Sequence, residues 1–143
     1  MRTLKVLALI TVTALLGACA SGPKYAEVQA SQPQLAEGKG RVFFYRTQLV
    51  GAAVQPTIFV DGQGVGTCEP DGVFYRDLAP GSYVANVETE VERSLSFVLA
   101  AGETKYVRCY ISIGLLIGRG NLELVAETTG KSEISGLSYT GGS

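Results

Sequence analysis

Cysteines and carboxylates are the side chains here with reactive potential, and the residues around them limit what they can do. Among 143 residues there are three Cys, at positions 19, 68 and 109, and no His. A serine or cysteine nucleophile therefore lacks the imidazole that would activate it, and the usual zinc sites lack a required ligand. For Cys68 and Cys109 two readings stand. In an oxidising compartment they form a disulfide closing a loop of about 40 residues, worth roughly 3 to 4 kcal/mol if unstrained. Otherwise they are two small buried hydrophobes. We expect the bridge and no catalytic thiol, since no imidazole depresses either pKa. Paired acids alone can run glycoside chemistry. Asp61, Asp71 and Asp77, however, lie at or beside expected turns, and Glu88, Glu90 and Glu92 lie on or just past an exposed strand face. Solvated surface accounts for them. No catalytic residue, metal ligand set or separate cofactor is assigned, and an enzyme is not expected.

Two stretches have the spacing of a recognition surface. Tyr106, Arg108 and Tyr110 alternate along one strand and share a face, combining rigid aromatic area with a bidentate donor suited to sugar, peptide or protein. The plainer reading is an outer sheet face or a Tyr-Arg packing ladder. Leu115, Leu116 and Ile117 stand among glycines in GLLIGRG (Gly114 to Gly120). They form either an apolar loop that contacts a partner or a bulged strand entering the core, and glycine inside a strand favours the bulge. Gly62-Gln63-Gly64-Val65-Gly66 lacks dinucleotide-loop spacing and has no helix behind it, so it reads as a hairpin turn opened by Asp61-Gly62.

The elements that hold these residues are strands. With 46% hydrophobic and 17% charged residues, the chain has material for one core. Turn signals at Asp61-Gly62, Asp71-Gly72, Pro80-Gly81, Ala101-Gly102 and Gly130 separate short runs rich in Val, Ile, Phe and Tyr. That rhythm predicts an all-β, antiparallel sandwich of about seven strands. We place them near 41–46, 57–61, 73–76, 82–90, 94–99, 105–113 and 122–127, with no helix. Val107, Cys109, Ile111 and Ile113 share the inward face of the sixth strand. Twelve basic against thirteen acidic residues give a charge of -1, so nucleic acid is not an expected partner.

The beginning of the chain reads as an address. A basic head with Arg2 and Lys5 precedes the 11-residue apolar run Val6 to Leu16, far short of the roughly 20 residues a membrane-spanning helix needs. Leu16-Gly17-Ala18-Cys19 resembles the lipobox of bacterial lipoproteins. The resemblance implies a diacylglycerol thioether on Cys19, cleavage before it, and an N-acyl chain of the palmitate class on the freed amine. Two or three such chains anchor a protein to a membrane without spanning it. Ala20, where an Asp would favour the inner membrane, points to the outer membrane and its periplasmic side. Residues 1–18 are then discarded, and residues 19–40 form a lipidated Cys and a flexible linker with an extended reach of about 70 Å. Residues 41–130 make the sandwich and 131–143 a C-terminal tail, frayed over Ser138 to Ser143.

Five phrases carry a wider resemblance: GKGRVFFYR at Gly38 to Arg46, PTIFVDGQGVG at Pro56 to Gly66, LAPGSY at Leu78 to Tyr83, AGETKYVR at Ala101 to Arg108 and GRGNLELV at Gly118 to Val125. In this order, behind a lipobox, the chain resembles the bacterial lipoprotein family catalogued as domain of unknown function 2846. VDG followed by PG-x-Y is also similar to PEGA-type surface β domains. The resemblance implies a small β-sandwich and no particular reaction. The expected function is a lipid-anchored, non-enzymatic envelope module for binding or assembly, with envelope proteins or cell-wall components as partners. The alternative is a structural envelope protein that self-associates through an open sheet edge.

Overall fold

A computed structural model describes residues 19–141; the expected address at residues 1–18 lies outside the described residues. The fold is an all-β sandwich. Its strands are β1 (Gly40–Arg46), β2 (Thr57–Val60), β3 (Gln63–Thr67), β4 (Gly72–Leu78), β5 (Gly81–Glu88), β6 (Glu92–Leu99), β7 (Thr104–Ser112), β8 (Arg119–Val125) and β9 (Ser138–Tyr139). A short helix α1 (Tyr25–Val28) with a following 3-10 turn (Gln29–Ser31) precedes them, and α2 (Glu127–Ile134) lies between β8 and β9. One sheet has the order β8-β7-β1-β4-β9 and the other β3-β2-β5-β6.

The alternation in each strand fills the space between the sheets. Val42 and Phe44 of β1, Phe74 of β4 and Val107 of β7 meet Ile58, Val60, Ala85, Val87, Phe97 and Leu99 from the opposite sheet. Full burial of one such side chain is worth roughly 1.5 to 3 kcal/mol, so this layer is the main source of stability. Cys68 and Cys109 are bonded across it, with Cα atoms 6.1 Å apart, linking the β3–β4 connection to β7. At the β2–β3 hairpin both turn residues have positive φ, Asp61 at 48° and Gly62 at 79°. That pair of angles marks the two-residue turn whose twist suits a hairpin.

The larger sheet is mixed, where an antiparallel one was expected. β1 pairs in parallel with β7, and β9 in parallel with β4. In addition, β1 is buried along its whole length. Its run Val42-Phe43-Phe44-Tyr45 is apolar on both faces, the signature of a strand covered on both sides. Phe43 and Tyr45 face away from the sandwich and join Tyr25, Val73, Tyr106, Ile134 and Leu137 in a second core.

The cover for that second core comes from the two segments expected to be loose. Residues 20–40 are not a flexible linker. Ala20 N–H donates to Pro70 O at 2.8 Å, Lys24 bridges to Ser138, Tyr25 packs edge-on against Phe43, and Gln32 accepts from the Tyr75 hydroxyl. Ordering each residue costs about 1 to 2 kcal/mol, and these spaced anchors offset it where composition offers few apolar side chains. Residues 131–141 are not a loose tail either: Ile134 and Leu137 are buried, and β9 extends the sheet. The helix α2 was not expected, and ETTGKSEI has little helical pattern. It forms where Gly130 allows its backbone to lie directly on the Tyr106 ring, a place no Cβ fits.

Two outcomes test this packing. The mature protein, unreduced, should be lighter than its free-thiol mass by the two hydrogens lost at Cys68 and Cys109; complete alkylation without reductant would refute the bridge. Gly130→Leu should push α2 off Tyr106 and cost roughly 1 to 3 kcal/mol in urea unfolding. An unchanged midpoint would mean that α2 does not rest on the sheet.

Candidate functional site

One end of the sandwich gathers features that the rest lacks. Because β1 and β7 run in parallel and β4 runs against them, the end of β1, the end of β7 and the start of β4 lie together. Gln48 fixes the junction: its side chain donates to Ile111 O at 3.1 Å and accepts from Ile111 N–H at 2.7 Å.

Two charged side chains organise the loops at this end by binding main-chain atoms. The Arg46 guanidinium is fully buried and donates to the carbonyl oxygens of Gln48, Val50, Val54 and Cys68 at 2.8–3.2 Å. Burial pushes its pKa down. Opposite in sign, the Glu90 carboxylate accepts from the N–H groups of Leu115, Leu116, Ile117 and Gly118 at 2.5–3.2 Å, with Arg119 at 3.6 Å. Such a ring of successive amides is a natural cradle for an anion. Chiefly through the amides of Leu116 and Leu115, it holds the Glu90 carboxyl at about 2, well below the ordinary 4.5. Glu90 is therefore a structural carboxylate and not solvated surface. Its partners lie 25 to 28 residues away, so no local pattern could have revealed it.

With the backbone held from inside, the loop side chains point out. Leu115, Leu116 and Ile117 are exposed, and so is Ile113 at 95%. The expected bulged strand entering the core is not formed, because β7 ends at Ser112 and the turn closes around Glu90. Ile113, expected on the inward face, falls beyond the strand. Cys19 is also here: its thiol is free and exposed, and its neighbour Ala20 is hydrogen-bonded to Pro70. Ala20, the next residue, is already packed against Gly72.

The Tyr106, Arg108 and Tyr110 stripe is not an open surface. Tyr106 is 3% exposed, stacked on Phe43 at 5.2 Å and covered by α2 at Gly130, and burial pushes its hydroxyl up to about 12. Arg108 is held by Glu123 and Glu133, each at 2.7 Å, and Glu133 also accepts from the Tyr45 hydroxyl. Arg108 and Tyr110 remain half-exposed, Tyr110 opposite Asn121. The three share a face as expected, but the covering N-terminal segment and α2 turn that face into packing. Beside it lies a shallow recess of about 420 Å3 edged by Tyr25, Arg41, Phe43 and Lys131. Its guanidinium is occupied by Asp77 and the carbonyl of Pro33.

Among the other acids, Asp61 accepts from Val84 N–H, Asp71 pairs with Lys24 and Asp77 with Arg41. Among the described residues no group of three His, Cys, Asp or Glu could hold a metal, and no helix is long and apolar enough to cross a membrane.

The Glu90 cradle has a pH signature. Its carboxyl is held below the unfolded value, so its contribution is complete above about 4.5 and is lost as pH falls through about 2. The amide resonances of residues 115–118 should titrate with a midpoint near 2 in an NMR series, and Glu90→Gln should remove that transition. A midpoint near 4.5 would show that the carboxylate does not hold the loop.

Residues 36–120 match the family described as protein of unknown function DUF2846. An uncharacterized protein of Haemophilus influenzae is 31% identical over 137 residues, covering 90% of this chain and 80% of the relative. No solved structure matches. The matched span runs from just before β1 to the start of β8 and includes both the Arg46 and the Glu90 cradles, and on this match the chain belongs to the DUF2846 family.

Proposed function

We propose that this protein is an envelope lipoprotein, anchored by acyl chains on Cys19 to the periplasmic side of the outer membrane, where it serves as a non-enzymatic binding or assembly-accessory module. The observation that carries the reading is Leu16-Gly17-Ala18-Cys19 behind a basic head and a short apolar run. Support comes from the exposed thiol of Cys19 immediately before the first packed residue. Several acyl chains, at about 0.8 kcal/mol per buried methylene, hold a domain on a membrane durably. The anchor then acts through effective concentration, keeping the domain beside other envelope components. Once residues 1–18 are removed, Arg2 and Lys5 leave with them and ten basic face thirteen acidic groups, so attraction to anionic headgroups plays no part.

One observation favours self-association as a second reading. β6 is an edge strand of the smaller sheet, and the outer face beside it carries exposed Val84 and Val98. An open edge of this kind can pair with another copy.

Cys19→Ala should abolish lipid attachment, seen as loss of the lipid mass, and release the protein from the membrane fraction. Membrane association unchanged by this substitution would refute the anchor. Photocrosslinking in intact cells from Tyr110 and Val98 separates the two roles: discrete heterologous products support a binding module, and homo-oligomers alone support the self-associating one.

A further inference from the structure

We infer that the loop end of the sandwich, through Leu49, Val50, Ile113, Leu115, Leu116 and Ile117, dips into the interfacial layer of the same membrane that holds the Cys19 lipid, so that the domain sits flush on the bilayer. This inference rests on the Cys19 anchor proposed above.

Four observations lead to it. Ten large hydrophobic side chains are exposed among the described residues, and seven of them (these six and Val91) lie in three loops at this one end. Clustering on that scale is unusual for a surface that meets only water and marks a contact site. The display is also built: Arg46 holds one loop by its carbonyls and Glu90 another by its amides, leaving Leu115 at 87% and Leu116 at 91% exposure outside.

The third observation is where the chain leaves. Ala20 is hydrogen-bonded to Pro70 and buried, so a single residue separates the packed domain from the lipidated atom. One residue spans at most about 3.8 Å. The start of β4, where Ala20 docks, and the end of β7, which carries the Ile113 loop, flank β1 two strand spacings apart, about 10 Å, and by register Gly72 is level with Cys109, so Ser112 lies about 10 Å further toward the loops. Acyl chains on Cys19 that enter a bilayer from this end bring these loops close to its surface.

The fourth is the chemistry of the loops. Residues 47–54 and 113–118, which carry the six side chains, contain no charged group, while the third loop, at Val91, is flanked by exposed Glu88, Glu92 and Arg93; Glu90 is turned inward and paired with Arg119. A small recess of about 260 Å3 among Val50, Ile111, Ile113 and Leu116 is apolar as well. The fit is to the acyl boundary about 5 to 10 Å below the headgroups and not to anionic headgroups, so contact is insensitive to salt.

The test uses the lipidated protein purified from membranes and reconstituted in phosphatidylcholine vesicles containing doxyl-labelled phospholipid. An environment-sensitive fluorophore is placed at Leu116→Cys, at Ile113→Cys as a second position, and at Ala101→Cys on the opposite end. We expect the first two labels to be blue-shifted and to lose most of their emission to the doxyl lipid, in low and high salt alike, while the Ala101 label is unaffected. Lipidated protein whose three labels are equally unquenched overturns the inference and leaves the anchor standing. A blue shift without quenching means that the loops are covered by protein, and overturns it too. A mass lacking the lipid overturns the anchor, and the inference with it.

Discussion

Arg46 brings a permanent charge into a fully buried place and meets carbonyl oxygens there, not a carboxylate. Burying an ion costs several kcal/mol, and each hydrogen bond to a charged group returns about 1.5 to 3, so the arrangement holds only if all four carbonyls are in place. That requirement fixes much of the surroundings. Gln48, Val50 and Val54 must fold back over the end of β1, and Cys68 must approach from the other sheet, where its sulfur is already bonded to Cys109 of β7. One side chain thus ties a loop, a strand end and a cross-link together. Glu90 repeats the device with the charge reversed and amides in place of carbonyls. In both loops the shape is set by backbone, which frees the side chains for other use.

The second constraint is β1 itself. A strand apolar on both faces cannot be an outer layer, so a two-layer sandwich leaves it unfinished. The third layer is assembled from the two ends of the chain: residues 20–35 and α2 cover Phe43 and Tyr106, and Lys24 meets Ser138 where the two segments touch. The aromatic stripe on β7 serves this layer, and Arg108 and Glu133 close its border with Tyr45.

How far the sequence reveals this depends on the range of the interaction concerned. Period-two alternation and turn pairs such as Asp61-Gly62 are local, and β1, β2, β5, β6 and β7 were legible from them, as was the inward side of Cys109. β3 was missed because QGVGT offers few side chains to alternate, and β9 because two residues make no pattern. Residues 20–40 dock through backbone hydrogen bonds and one tyrosine, which composition does not register. α2 depends on Gly130 meeting a ring 24 positions earlier. In the candidate site, Cys19 and the Leu115 to Ile117 run were visible as residue types, whereas the hold of Glu90 on that run is purely tertiary. The run Gly38 to Arg46 could have warned of the covering layer, since Val42-Phe43-Phe44-Tyr45 is apolar without alternation.

The bridge between Lys24 and Ser138 also orders events in time. Chains are made from the amino end, and the groups that receive the N-terminal segment are Leu137 O, Ser138 and Tyr139, among the last to be synthesised. Contacts that span nearly the whole chain form late, since the loop between them must close first. The segment that starts at Cys19 therefore emerges early, directly behind residues 1–18, and is among the last to be placed. Until those residues are made it has no docking site there, and the beginning of the chain is open to whatever acts on it.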